Sequence, residues 1–464
     1  MELVAAHCVP STRSRGRSQR QALALAAISA GFLMITLDAT IVNVALPAIG
    51  ADLGGAPSTA QWVVDGYTVA FASLLLLAGS LADRIGARTG FVVGLTVFVL
   101  ASAACAAAGS VTFLVAARVA QGMGAAWLMP SSLALITHTF AEPQARGRAL
   151  AVWGAVSGIG LASGPLVGGI LVASLGWRAI FLVNVPVGLV AARVLARHAG
   201  ETARRRRPLD LPGQLLAMFS LAALTGGFIS AGAHGWTAGV TLALGTSGVL
   251  GSAAFALVER TVRRPLIDPD VFQDNAFTAV VAIGFVFNFC LYGSIFCLAV
   301  GLGRLRGLDA LDTGLALLPM TVVTAAMALL AGRLVPRLGE WRVVAAGLTS
   351  GAVGAALVAL NASNANLAVL LLCTVPIGVT ALAMPAMTGV AMASGPSLRH
   401  GLSAGVFTAS RQAGGALGVA VLGTLLTSGP GASISLRRPF LLTAGAYGLA
   451  VALATLTSHE GRTP

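Results

Sequence analysis

The chain contains no lysine, only three tyrosines, and charged residues make up 10% of its 464 positions against 56% hydrophobic ones. That is too little charge to coat a soluble globule of this length, and it places the chain among polytopic membrane proteins. The five cysteines include four, Cys105, Cys290, Cys297 and Cys373, inside apolar runs, so neither a disulfide framework nor a metal spacing follows. His7, His138, His198, His234, His400 and His459 are scattered without ligand spacing. No Walker motif offers ATP as an energy source. These absences exclude a metal centre and a clustered catalytic set, and the expectation is a protein that is not an enzyme and carries no cofactor.

What is present is a series of about fourteen apolar runs of spanning length, the first near Leu23 to Leu46 and the last near Phe440 to Leu456. The net charge of +13 follows loop parity. Arg13, Arg15, Arg17 and Arg20 precede the first run. Arg84 and Arg88, Arg146 and Arg148, Arg204 to Arg207, Arg260 to Arg264, and Arg333 to Arg342 mark alternate links. Opposite links carry fewer: Arg178, Arg304, Arg306, Arg437 and Arg438. By the positive-inside rule both termini are cytoplasmic, and the basic charge is a topology signal rather than a nucleic-acid patch. An all-arginine basic set with abundant alanine and glycine fits a GC-rich bacterial genome. The basic start is read as a retained first span, since its apolar run is too long for a signal peptide.

The segments divide into a tail (1–20) near anionic headgroups, a six-helix bundle (21–198), a linker (199–212), two additional spans (213–260), a linker (261–275), a second six-helix bundle (276–458) and a short tail (459–464). The second bundle is a diverged copy of the first. Gly79 to Gly86 aligns with Gly332 to Gly339, 253 residues on, and Gly147 aligns with Gly401, 254 residues on. In this register Asp38 falls opposite Tyr292 and Asp83 opposite Pro336.

Charged residues within the runs are the functional candidates. Asp38, read as the only carboxylate near the middle of a span, needs a reason, because an ionised Asp at the bilayer centre costs about 2.5 kcal/mol or more. Arg118 in the fourth run needs a counter-charge or a water-filled cavity, and Asp38 is the obvious partner in this half. Arg411, in the thirteenth run, is equally readable as a snorkelling or loop residue and as a site residue. In the fifth run, Gly160, Gly164 and Gly168 recur every fourth residue, Gly154 and Gly158 form a second pair, and the set allows close helix approach. Pro165 crowds the carbonyl of Leu161, so a bend is expected there.

Four patterns resemble a known family. Gly79-Ser80-Leu81-Ala82-Asp83-Arg84-Ile85-Gly86-Ala87-Arg88 is similar to the loop signature of the major facilitator superfamily, with Ala87 in place of a basic residue. Arg118-Val119-Ala120-Gln121-Gly122 resembles its R-x-x-Q-G motif. Gly154 to Gly169, with Pro165 and Gly169, resembles the antiporter motif of drug:proton exporters. Gly176 to Gly188 is similar to a signature of the fourteen-span drug:proton antiporter (EmrB/QacA-type) family. Gln61 to Tyr67 and Gly284 to Phe289 resemble the methylenomycin A resistance branch.

The resemblance implies an all-α major facilitator fold of two six-helix bundles plus two central helices. It also implies proton-coupled drug or antibiotic efflux, driven by the proton-motive force, in the bacterial cell membrane. Protons, lipid and a small amphipathic drug, neutral or weakly charged, are then the partners of a monomer. A facilitator of a small metabolite is the alternative. Asp38 and Arg118 are expected to couple the proton. Gly79, Asp83, Arg84, Gly86 and Arg88 are expected to gate, with Asp83 latching near Gly401 to Ser403. Pocket candidates are Asn43, Trp62, Asp65, Tyr67, Trp127, Asn288, Phe289, Tyr292, Met320 and Met384.

Overall fold

A backbone crossing hydrocarbon must satisfy its own N–H and C=O groups, so long apolar runs become helices. The computed structural model describes residues 12–54, 57–202, 204, 210–262, 267, 269–363, 366–393, 400–427 and 434–460, and these contain no strand. The first bundle comprises α1 (Thr12–Leu53), α2 (Pro57–Ile85), α3 (Ala87–Ala106), α4 (Val111–Thr139), α5 (Pro143–Leu175) and the pair α6 (Ala179–Leu182) and α7 (Asn184–His198). α1 thus begins inside the expected polar tail. Two further helices follow, α8 (Leu211–His234) and α9 (Gly239–Thr261). The second bundle comprises α10 (Asn275–Arg306), α11 (Ala310–Leu338), α12 (Glu340–Leu360), α13 (Leu367–Val379) and α14 (Ala383–Ala393), α15 (His400–Thr427) and α16 (Arg437–Glu460).

Thirteen helical segments among the described residues are long and apolar enough to cross a membrane. The expected fourteenth is α15, whose 28 residues suffice in length but carry Arg411, Gln412 and several small polar side chains.

The internal repeat is visible in the packing. α1 packs on α5 and α7 as α10 packs on α15 and α16, and α2 and α3 pack on α4 as α11 and α12 pack on α13. The bundles meet along two related seams, α2 with α15 and α5 with α11. α8, paired with α9, breaks this symmetry by packing on α2 of one bundle and α15 of the other. Gln214 of α8 donates to the Ser73 carbonyl of α2. On the other side, Thr424 of α15 donates to the Phe228 carbonyl of α8 at 2.6 Å. The accessory hairpin therefore ties both bundles together at one seam and leaves the other free.

The loop between α2 and α3 turns at Gly86, whose φ of 99° is a conformation other residues rarely adopt. With no side chain there, the amino end of α3 lacks a local cap, and a distant segment supplies it. Ala87 N–H donates to Thr202 Oγ1 at 2.7 Å, Arg88 N–H to Glu201 Oε1 at 3.0 Å and Thr89 N–H to Glu201 Oε2 at 3.2 Å. Arg88 also reaches the Ala196 carbonyl at the end of α7, 2.6 Å away.

Burial alone raises the Glu201 carboxyl, but the bonds from the Thr89 hydroxyl and from the backbone of Thr202, Arg88 and Thr89 outweigh it and hold the group below the usual carboxylate range. Its stabilising contribution is therefore complete above the unfolded value of about 4.3 and fades as pH falls through the lower folded value. Glu201→Ala should lower stability by about 1 kcal/mol at neutral pH, the usual cost of a lost cap. The gap in unfolding temperature between variant and wild type should narrow as pH falls below about 4.3 and close only below the lower folded value.

Candidate functional site

Asp38 lies near the middle of α1, and Arg118 lies two turns into α4. The two form an ion pair through Asp38 Oδ2 and Arg118 Nη1, with relative exposures of 1% and 0%. A buried pair is stable only if its remaining lone pairs and protons are satisfied. Here Asp38 Oδ1 accepts from Gln121 Nε2 at 2.9 Å and Asn184 Nδ2 at 3.3 Å. Arg118 Nη1 donates to Gln121 Oε1 at 2.8 Å, and its Nε donates to the Val63 carbonyl at 2.9 Å. Ser102 accepts from both Gln121 and Asn184 and donates to the Phe181 carbonyl at 2.9 Å. The guanidinium lies over the Tyr67 ring, 4.4 Å from its centroid. Only Arg118 Nη2 has no acceptor.

The sequence paired Asp38 with Arg118. It did not identify Asn184 and Ser102 as members, although Asn184 stands in the Gly176 to Gly188 signature and Gln121 in the arginine motif. Ser102 carries no sequence signal at all. Tyr67, expected in a drug pocket, instead forms the floor under Arg118 and donates to the Ile35 carbonyl at 3.2 Å.

The antiporter motif sits directly behind this site. Gly160, Gly164 and Gly168 face Leu33, Thr36, Thr40 and Ile41 of α1; a Cβ on Gly168 would lie 2.8 Å from the Ile41 carbonyl oxygen. Pro165 cannot donate to Leu161, and the freed carbonyl accepts instead from Thr40 Oγ1 at 3.1 Å. The proline turn of α5 is therefore bonded to α1 two residues from Asp38. Thr40→Val, nearly isosteric, leaves the Leu161 carbonyl without this donor and should cost about 1–3 kcal/mol in thermal stability. At the other end of the stripe, Gly314 of α11 lies close to the Pro165 carbonyl and Gly169 lies close to Ala310, each at 2.5–2.6 Å from a built Cβ. Gly154 and Gly158 meet nothing within 4 Å, so the second small-residue pair makes no close approach in this arrangement.

A second carboxylate is buried toward the start of a span: Asp65 is 0% exposed, with Oδ1 near the Thr68 hydroxyl and Oδ2 without a partner. It lies two turns from the start of α2. The Trp62 ring lies near Gly226 of α8, the Trp127 Cβ near Gly94 of α3, and the Met320 backbone near Gly378 of α13. Asn43 is buried on α1, where it donates to the Thr40 carbonyl. Met384 packs on the core of the second bundle. Phe289 stacks on Phe285, Asn288 is bonded to Gln412 of α15, and Tyr292 packs against the core of the first bundle. Gly79 sits beside Pro130. The side chains from His400 to Leu402, where the Asp83 latch was expected, lie outside the described residues, as do Arg205 to Arg207.

The fourteen-helix repeat and a charge-paired core can now be set beside known proteins. A profile of the Major Facilitator Superfamily matches residues 28–419. The chain belongs to this family. A methylenomycin A resistance protein of Streptomyces coelicolor is 38% identical over 410 residues, 87% of this chain and 85% of that protein. One from Bacillus subtilis is 37% identical, covering 97% of each. In the fold comparison, the human organic anion transporter MFSD10 superposes with a TM-score of 0.66 over 94% of this chain and 99% of that one, at 16% identity. The protein is therefore a multi-pass membrane transporter of the superfamily, and its Asp38–Arg118 site lies within the matched region.

Proposed function

We propose that the protein is a drug:proton antiporter that exports amphipathic antibiotics across the bacterial cell membrane by alternating access. It works as a monomer, without a cofactor or covalent chemistry, and the proton-motive force drives it. Relatives named for antibiotic resistance support the cargo class. Arginine-rich alternate links support cytoplasmic termini. In that orientation, the contact of α5 with the start of α11 closes the outer side, and the open faces of Gly154 and Gly158 lie toward the cytoplasm.

The observation that carries the reading is the sealed Asp38–Arg118 pair. With Asp38 ionised, α1, α4 and α7 are held by mutually satisfied bonds. A proton on Asp38 cancels the counter-charge and turns an acceptor into a donor. Arg118 must then find other acceptors, and the helices it joins change their preferred packing. The Thr40–Leu161 bond passes that change to α5, whose far end presses on the other bundle.

Expression in a pump-deficient bacterial host, with a susceptibility screen across antibiotic classes, tests the export reading. Lowered cell content and raised resistance to at least one amphipathic drug are expected, both lost in Asp38→Asn. Raised accumulation would instead indicate an importer.

A further inference from the structure

Arg411 was left open as a snorkelling residue, and its surroundings assign it elsewhere. It lies eleven residues from the start of α15, a depth of about 16 Å at 1.5 Å per residue. Its stem crosses onto α10, with Cγ 3.0 Å from a Cβ built on Gly284. Nη2 donates to Asn288 Oδ1 at 3.3 Å, and Asn288 Nδ2 in turn donates to Gln412 Oε1 at 3.2 Å. The guanidinium carbon is 5.6 Å from the Phe407 ring centroid.

Unlike Arg118, this arginine has no carboxylate partner among the described residues, and its buried Nε has no acceptor. An arginine at such depth is normally paired or set in a polar cavity on a substrate path. The location fits a path. Tyr292, one turn beyond Asn288, touches the core of the first bundle, as does Ala409 of α15. Tyr292 also lies against Gly415 of α15, one turn beyond Arg411, its ring 3.4 Å from a Cβ built there. The arginine without a carboxylate partner therefore stands where α10 and α15 meet the first bundle.

We propose that Arg411, held by Asn288 and Gln412 and facing Tyr292, binds the anionic group of the transported drug, so that the favoured cargo is an amphipathic monoanion such as a carboxylic acid. The inference rests on the export reading and narrows it. The planar guanidinium offers a fork matched to a carboxylate, and the seam around it is otherwise apolar and aromatic. An anion seated there supplies the acceptor that Nε lacks.

The test compares fusidic acid with its methyl ester, an amphipathic pair differing in the carboxylate, by ligand-dependent thermal stabilisation of the purified full-length protein. The acid should bind at least about tenfold more tightly than the ester, the scale of a charge-assisted hydrogen bond. Arg411→Gln should remove that preference, and Arg411→Lys should restore part of it. Equal binding of acid and ester, no binding of the acid, or an undiminished preference in Arg411→Gln overturns the proposal. So does equal saturable stabilisation by chloride, which would make this an inorganic-anion site. Should Arg411→Gln fail to fold, the acid–ester comparison in the wild type still decides. Equal binding of acid and ester by the wild type, with Asp38-dependent export intact, removes only the anion subsite; a wild-type preference for the acid without any export removes only the transport reading.

Discussion

Asp38→Leu is expected to lower stability by about 3–5 kcal/mol, a large share of the margin of a typical protein. The reason is asymmetric. Arg118 cannot shed its proton, and it is 0% exposed, so a leucine at position 38 leaves a permanent buried charge. Asp38→Asn should lose much less, since an amide oxygen still faces the guanidinium while the Val63 carbonyl, Gln121 and the Tyr67 ring remain. Combining Asp38→Leu with Arg118→Met should recover most of the loss, because apolar replacement of a whole buried pair is often close to neutral. Detergent-extracted protein, assayed for monodispersity and unfolding temperature, orders the variants. A double variant no more stable than Asp38→Leu would show that the pair is not the source of the loss.

Gly164→Val should be nearly as damaging, through geometry rather than charge. A Cβ at 164 would overlap Thr40 Oγ1 and approach the Ile41 backbone nitrogen to 3.1 Å. The branched side chain must push α5 from α1 and break the Thr40–Leu161 bond, an overpacking cost of about 3 kcal/mol or more with the lost bond included. Transport should fall at least tenfold, since Asp38 rides on the displaced helix. Gly154→Val, where a side chain meets open space, should leave the unfolding temperature within about a degree of wild type, in line with a neutral exposed substitution. Equal destabilisation by both would contradict the close-packed stripe.

How far the site could be read from the chain depended on how local its causes are. Asp38, Arg118, the glycine stripe and Pro165 each break a local rule of membrane helices, so each was visible as a residue type out of place. Asn184 and Ser102 break none: they are ordinary small polar residues until three helices converge on Asp38. Glu201 and Thr202 lay in a stretch read only as a linker, because the need they meet, an uncapped α3 after Gly86, arises 115 residues earlier. The two seams are alike by repeat, and only the packing of α8 shows that they are not equivalent.

The central claim is that Asp38 carries the transported proton, and drug-driven proton release in proteoliposomes measures it most directly. Wild-type protein with an exported drug on one side should dissipate an imposed pH gradient, and Asp38→Asn should not, while still exchanging labelled for unlabelled drug at equilibrium. Undiminished gradient dissipation by Asp38→Asn would contradict the account.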